Sequence, residues 1–196
     1  RLNEYDVLLL GPGLGQERQT VKFVERLLEN KELPKIVIDG DGLNLLSKMG
    51  KWQDYFKKEA IFTPHPGEMS RLTGMSIDEI QTDRINVAQY FAKKWNKIVV
   101  LKGANTVIAS PAGEVVLSPF ANPVLATAGT GDVLAGVISG LVAQGLNLFD
   151  ASCVGVYIHG LAGEKLSKII GSTGALASDL LPLLPQVTQD LVDKTK

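Results

Sequence analysis

Cysteine is almost missing from this chain: Cys153 is the only one in 196 residues, so no internal disulfide can form and a reducing, cytoplasmic compartment is expected. Cys153 lies among Ala151, Val154 and Val156 with no basic neighbour, which reads as a small core residue rather than a nucleophile. Histidine is also scarce, and two histidines with one cysteine do not build a zinc site. Charge of either sign is not in excess: 20 Lys+Arg face 21 Asp+Glu, leaving a net −1 and no basic field for a nucleic-acid backbone. Long hydrophobic runs are absent as well. The most continuous, Val133–Ala143, falls short of the ~20 residues of a span and is interrupted by Gly136, Ser139 and Gly140, so neither membrane nor nucleic acid is expected as a partner. No secretory signal opens the chain, which starts Arg-Leu-Asn-Glu rather than with Met and reads as a piece of something longer or as the mature part left after removal of a segment.

What is present is an ordinary globular composition, 45% hydrophobic and 21% charged, sized for one domain covering 1–196. Short apolar runs alternate with helical patterns. Val7–Leu10, Ile36–Ile38, Ala60–Thr63 and Ile98–Leu101 read as buried strands. Between them, Glu17–Asn30 carries an amphipathic stripe, a short helix holds Leu43, Leu45 and Leu46, and Ser76-Ile77-Asp78-Glu79 opens one long helix running past Phe91. The rhythm then changes to a hairpin over Thr106–Leu117, followed by helices over Thr130–Ala143, Asp150–Ser167 and Leu180–Val192. Strand–helix alternation of this kind predicts an α/β fold: a mostly parallel central sheet between two helical layers.

In such a sheet ligands bind beyond the carboxyl ends of the strands. The conspicuous segments fall there: Gly11-Pro12-Gly13-Leu14-Gly15, Asp39-Gly40-Asp41-Gly42-Leu43-Asn44, Thr63-Pro64-His65-Pro66-Gly67-Glu68 and Lys102-Gly103-Ala104-Asn105-Thr106. The sharpest signal is Ala128-Gly129-Thr130-Gly131-Asp132 leading directly into an apolar helix. Glycines at a helix start let backbone amides converge on an anion, favoured by the helix dipole. Asp132 is out of place beside a phosphate unless it has a task such as taking a proton from an attacking hydroxyl; the alternative is that it only caps the helix. These two devices predict an adenine nucleotide against Lys102, Gly103, Ala104, Asn105 and Thr106, with Gly129, Thr130 and Gly131 at its phosphates. No Walker A loop exists, since Gly50-Lys51 runs into Trp52, and the Gly11–Gly15 spacing is not a dinucleotide fingerprint. Glu68 either sits favourably in a first helical turn or helps hold a metal ion, and no other protein metal ligand is expected. His159, flanked by Ile158 and Leu161, reads as structural.

Taken in this order, from about Leu8 to Glu164, the segments resemble the ADP/ATP-dependent NAD(P)H-hydrate dehydratases of the ribokinase-like superfamily. The Gly-Thr-Gly-Asp turn is shared with many small-molecule kinases, whereas His65-Pro66-Gly67-Glu68 and Gly11–Gly15 single out the dehydratases. The resemblance implies a three-layer α/β/α domain, normally with further strands and helices ahead of the first glycine loop. It also implies a lyase that phosphorylates the hydroxyl of hydrated NADH or NADPH and expels phosphate, giving AMP from ADP or ADP from ATP. Gly13, Gly15, His65 and Asp132 would then face the hydrated dinucleotide, with Asp132 catalytic, Mg²⁺ would ride on the phosphates, and the enzyme would be a cytoplasmic homo-oligomer. The rival readings are a kinase of the same superfamily acting on a vitamin precursor or sugar, and a nucleotide-binding protein without turnover.

Overall fold

A computed structural model describes residues 2–194. Its six strands are β1 (Val7–Leu10), β2 (Lys35–Ile38), β3 (Ala60–Phe62), β4 (Ile98–Leu101), β5 (Val107–Ala109) and β6 (Val115–Leu117). They lie side by side in chain order; β1 to β4 are parallel and β4, β5 and β6 antiparallel. The helices are α1 (Arg18–Leu28), α2 (Asp41–Lys48), α3 (Trp52–Tyr55), α4 (Pro66–Thr73), α5 (Ile77–Thr82), α6 (Arg84–Trp95), α7 (Thr130–Ala143), α8 (Leu148–Ile170) and α9 (Leu183–Asp193).

The two-residue period of the strands sorts their side chains onto two cores. Ile36, Ile38, Ala60, Phe62, Val99, Leu101, Val107 and Ala109 pack with residues of α1 to α6. Val37, Ile61, Ile98, Val100 and Ile108 face Leu134, Ile138 and Val142 of α7 and Leu148, Ala151 and Val156 of α8. α9 and the turns before it close a third cluster against the outer side of α8, around Ile158, Ala162 and Leu166. This is the α/β/α sandwich that the ribokinase-like resemblance implies. None of the helices is long and apolar enough to cross a membrane among the described residues.

Three helix boundaries differ from the sequence expectation. The Ser76–Glu79 capping box is formed, but the helix it opens ends at Thr82 and Asp83 starts a second one, α6, by accepting from the Asn86 amide. α8 starts two residues before Asp150, because Asn147 is its cap and accepts from the Asp150 amide. The last helix begins at Leu183, after a 3-10 turn over Ala177–Leu180.

Candidate active site

The sheet's ladder continues past the strand ends and draws the predicted loops together. The Asp39 amide donates to Leu10 O (3.1 Å), the Thr63 amide to Ile38 O (3.2 Å) and the Lys102 amide to Pro64 O (2.8 Å). Between β1 and β2 the approach is so close that a Cβ on Gly11 would fall onto the Asp39 carbonyl oxygen, and Gly11 also has φ +128°. Glycine there is a packing requirement.

These loops and the start of α7 enclose a cavity of about 490 Å³ lined by Asp39, His65, Glu68, Lys102 and the 125–132 segment, among others. A smaller cavity of about 80 Å³ adjoins it, sharing Lys102, Gly103, Thr130 and Gly131 and adding Thr106, Phe120 and His159. Of the sequence-predicted residues, His65, Glu68, Lys102, Gly103, Gly129, Thr130, Gly131 and Asp132 therefore meet in the main cavity and Thr106 in its extension. Ala104 and Asn105 line neither; they form the exposed turn beside them, where Asn105 (φ +52°) donates through its backbone to Phe120 O. Gly13 and Gly15 also lie outside the cavity, on a loop tied to α2 by the Gly15 amide donating to Asp41 Oδ2 (2.9 Å).

At the α7 start, Gly129 adopts φ +87° as the N-cap residue, and no side chain caps the helix. Thr130 Oγ1 turns back onto the carbonyls of Thr127 (2.8 Å) and Leu125 (2.7 Å), fixing the turn. The amides of Gly131 and Asp132 donate to no acceptor among the described residues, the condition for an anion-binding helix start. The Asp132 side chain is exposed and makes no hydrogen bond or ion pair among the described residues, so the capping role is not what it performs. From α8, buried His159 donates through Nε2 to Thr130 O (2.9 Å). Burial pushes its ring down to about 4, partly offset by that hydrogen bond, so it stays neutral and structural, as its sequence context implies.

Facing the turn is a charged cluster. Lys102 Nζ lies 2.6 Å from Asp39 Oδ1, which also accepts from Thr63 Oγ1 (2.7 Å), and 3.9 Å from Glu68 Oε2. His65 is the N-cap of α4: its Nδ1 accepts from the Gly67 and Glu68 amides, while Glu68 Oε2 accepts from the His65 amide (2.8 Å). Burial first, and then Lys102, lowers the His65 pKa; the ring accepts at Nδ1, its Nε2 lies 3.5 Å from Glu68 Oε1, and the half-exposed side chain lines the cavity. Burial raises the Glu68 carboxyl to about 7 against the pull of Lys102 and the His65 amide. Among the described residues no group of three or more His, Cys, Asp or Glu side chains is placed to hold a metal.

Sequence reasoning passed over Asp39 as a site residue and missed Arg84. The Arg84 guanidinium donates to the carbonyls of Leu101 (2.9 Å) and Ala104 and so braces the 102–105 turn from beneath. Asp39 had a signal, an acid directly after a buried strand, but Arg84 had none.

The profile of a family described as NAD(P)H-hydrate dehydratase matches residues 1–186. The bifunctional NAD(P)H-hydrate repair enzyme Nnr of Moorella thermoacetica is 43% identical over 196 residues, all of this chain and 37% of that protein. The ADP-dependent (S)-NAD(P)H-hydrate dehydratase of Neisseria meningitidis is 37% identical over 89% of this chain and 60% of its own length. In three dimensions, the ADP/ATP-dependent NAD(P)H-hydrate dehydratase of Bacillus subtilis, co-crystallised with ATP/Mg²⁺, superposes with a TM-score of 0.84 at 33% identity, covering 94% of this chain and 64% of that one. The chain thus spans between about a third and two thirds of the relatives it matches. Motifs, strand-end cavity and these likenesses agree over nearly the whole chain, and it belongs to the NAD(P)H-hydrate dehydratase family.

Proposed function

We propose that this chain carries the repair reaction of its relatives, returning hydrated NADH or NADPH to NADH or NADPH at the expense of ADP or ATP, with AMP or ADP and phosphate as products. The observation that carries the reading is the unpartnered Asp132 carboxylate one residue after the free Gly131 amide, both on the cavity that Lys102 enters. A site for anion binding alone gains nothing from a carboxylate in that place, whereas a phosphoryl transfer needs a base beside the phosphate.

The donor phosphates sit on the Gly129–Gly131 turn, with Lys102 as counter-charge and the nucleoside toward Thr106 and the smaller cavity. Gly13, Gly15 and His65 take the hydrated dinucleotide, His65 from the cavity wall and the two glycines from the loop outside it that is tied to Asp41. Asp132 accepts the hydroxyl proton while that oxygen bonds to the terminal phosphorus and the bridging oxygen leaves with AMP or ADP. The ring nitrogen's electron pair then expels phosphate as the C–O bond breaks, and loss of a proton from the neighbouring carbon restores the double bond. Phosphate leaves where hydroxide would not, which explains why a nucleotide is consumed.

Mg²⁺, if carried on the phosphates, would lower their charge. The site fits an ion carried mainly by phosphate oxygens and water: Asp39 binds Lys102 and Thr63 through Oδ1 and Glu68 binds the His65 amide through Oε2, so the second oxygen of each carboxylate would be left to hold the ion or its waters. A homo-oligomer in the cytoplasm belongs to the same reading.

The test is NADH formation, followed by absorbance, from hydrated NADH plus ADP or ATP. Asp132→Asn should lower the rate ~10²–10⁴-fold with nucleotide affinity unchanged or slightly tighter. Retention of more than about a tenth of the parent rate excludes a base of that strength. Accumulation of a phosphorylated product without NADH would mark a kinase instead.

A further inference from the structure

The flank of the sandwich beyond β6 is apolar and bare. β6 is the last strand of the sheet, with no neighbour on its outer side, and Val115-Val116-Leu117 brings no charge or proline to guard that edge. Beside it runs the outward face of α8. Asp150, Val154, Tyr157, Leu161 and Lys165 recur at i, i+4, i+7, i+11 and i+15, which places them on one helical stripe. Val154 is 38% exposed and Tyr157 41%, and Leu117 at the end of the strand is 50% exposed, more than single scattered side chains would explain.

Strand and helix run alongside each other on this flank. The Phe120 ring, just past β6, lies 5.2 Å from the Tyr157 ring. Toward the other end, burial first and then the Asp150 and Glu114 carboxylates push the Cys153 thiol up to about 11, so both acids stand beside that turn of α8. The flank is therefore acidic at one end, with Glu114 and Asp150, and apolar in its middle. It is basic at the other end, where Lys165 and Lys168 face Lys194 across a groove of about 360 Å³ between α8 and α9. Lys165 pairs with Asp190 at 3.5 Å and Glu164 accepts from Asn122, but Lys168 and Lys194 make no ion pair among the described residues.

Tyr157 is midway: at 1.5 Å per residue Asp150 lies about 10 Å before it and Lys165 about 12 Å after it. A surface charged in this order complements itself only when turned end for end. We propose that this flank docks a second copy of the chain, the two α8 helices packing antiparallel across a twofold axis near Tyr157. Val154 then meets the partner's Leu161, and Asp150 meets the partner's Lys165. The same axis exchanges the two sides of α8, so Glu114 on the β6 side comes over the groove that holds Lys168 and Lys194 in the other copy. A parallel pair would set acid against acid. None of the residues meeting across the axis lines either cavity of the candidate active site, so the interface stands apart from the catalytic reading.

The experiment is sedimentation equilibrium of the whole protein from about 1 to 100 μM, the range of a weak specific contact. It should show self-association that Val154→Glu weakens at least tenfold in Kd, since each copy then carries a carboxylate into the apolar middle. In a Cys153→Ser background, Tyr157→Cys should give a disulfide-linked pair on oxidation, because only a residue on the axis meets its own copy, and Asp150→Cys should not. A protein that stays monomeric up to about 100 μM overturns the interface and leaves the flank to a different protein. Association unchanged by Val154→Glu overturns it as well. Linking at position 150 in preference to 157 overturns the antiparallel arrangement. Should Val154→Glu fail to fold, the two cysteine variants decide alone. Dehydratase activity is not a readout here, so failure leaves the proposed reaction untouched.

Discussion

Lys102 Nζ rests 2.6 Å from Asp39 Oδ1 and beside Gly131, where a Cβ would lie 3.1 Å from the ammonium. Asp39 is buried and Lys102 is mostly so, which makes the pair a strong one to break from one side. Removing one partner of such a pair costs about 3–5 kcal/mol. Asp39→Asn should therefore lower the melting temperature, and an anion at the α7 start should restore part of the loss by supplying the missing counter-charge. Thermal-shift measurements should show ADP stabilising the variant more than it stabilises the parent. An equal or smaller ADP shift would mean that Lys102 does not face the nucleotide phosphates.

Gly131 has ordinary helical backbone, so its side chain, rather than φ, decides what is tolerated. Gly131→Ala presses on the flexible end of Lys102, whereas Gly131→Val adds branches where phosphate oxygens must reach the free amide. Calorimetry should give a modest loss of ADP affinity for alanine and at least a hundredfold loss for valine, about 2.7 kcal/mol. Valine binding ADP as well as the parent would place the phosphates elsewhere.

The strands and α7 were legible because apolar runs ended in glycine or proline, and the Thr130–Ala143 helix has the bounds its pattern predicts. The split between α5 and α6 was not, because Asp83 looks like any polar residue on a helix surface until it is seen accepting from Asn86. In the site, loops at strand ends could be read one by one. What pairs with what could not: Asp39 and Lys102 are 63 residues apart, and no local pattern links them. Nor does any pattern reveal that Glu68 is buried, since its segment reads simply as a helix start. The capping-box partnership with His65 that buries it uses a histidine, a residue that N-cap preferences do not favour.

Arg84 supplies a prediction about the nucleotide loop. Its guanidinium spans the Leu101 and Ala104 carbonyls, with Gly103 so close that a Cβ would lie 2.9 Å from Nη2. A lysine amine cannot bridge two carbonyls in that planar fashion. Losing one hydrogen bond from a charged donor costs about 1.5–3 kcal/mol, so Arg84→Lys should raise the KM for ADP roughly tenfold or more. The turnover number should stay within about threefold, under 1 kcal/mol, because the residue touches neither Asp132 nor the α7 turn. A variant that loses turnover but keeps its KM would place the 102–105 turn in the chemistry instead of in donor binding.

His159 and Glu68 pull the pH dependence of stability in opposite directions. His159 is pushed down to about 4 from 6.5, so its contribution is fully present above pH 6.5 and is lost as the pH falls toward 4, when folding must hold a buried ring neutral or charge it without solvent. Over that window the loss approaches about 3 kcal/mol. Glu68 is raised from 4.5 to about 7, so its contribution is present below pH 4.5 and is lost as the pH rises through 7. A single pH–stability curve mixes the two, but the difference between parent and variant does not. His159→Gln keeps an N–H donor for the Thr130 carbonyl and cannot titrate. Urea denaturation at pH 7 and pH 4.5 should show the parent losing about 2–3 kcal/mol more than His159→Gln between the two. Parallel losses in both proteins would mean that His159 is already charged, or already solvated, in the folded state, and that the start of α7 is held by something other than a neutral imidazole.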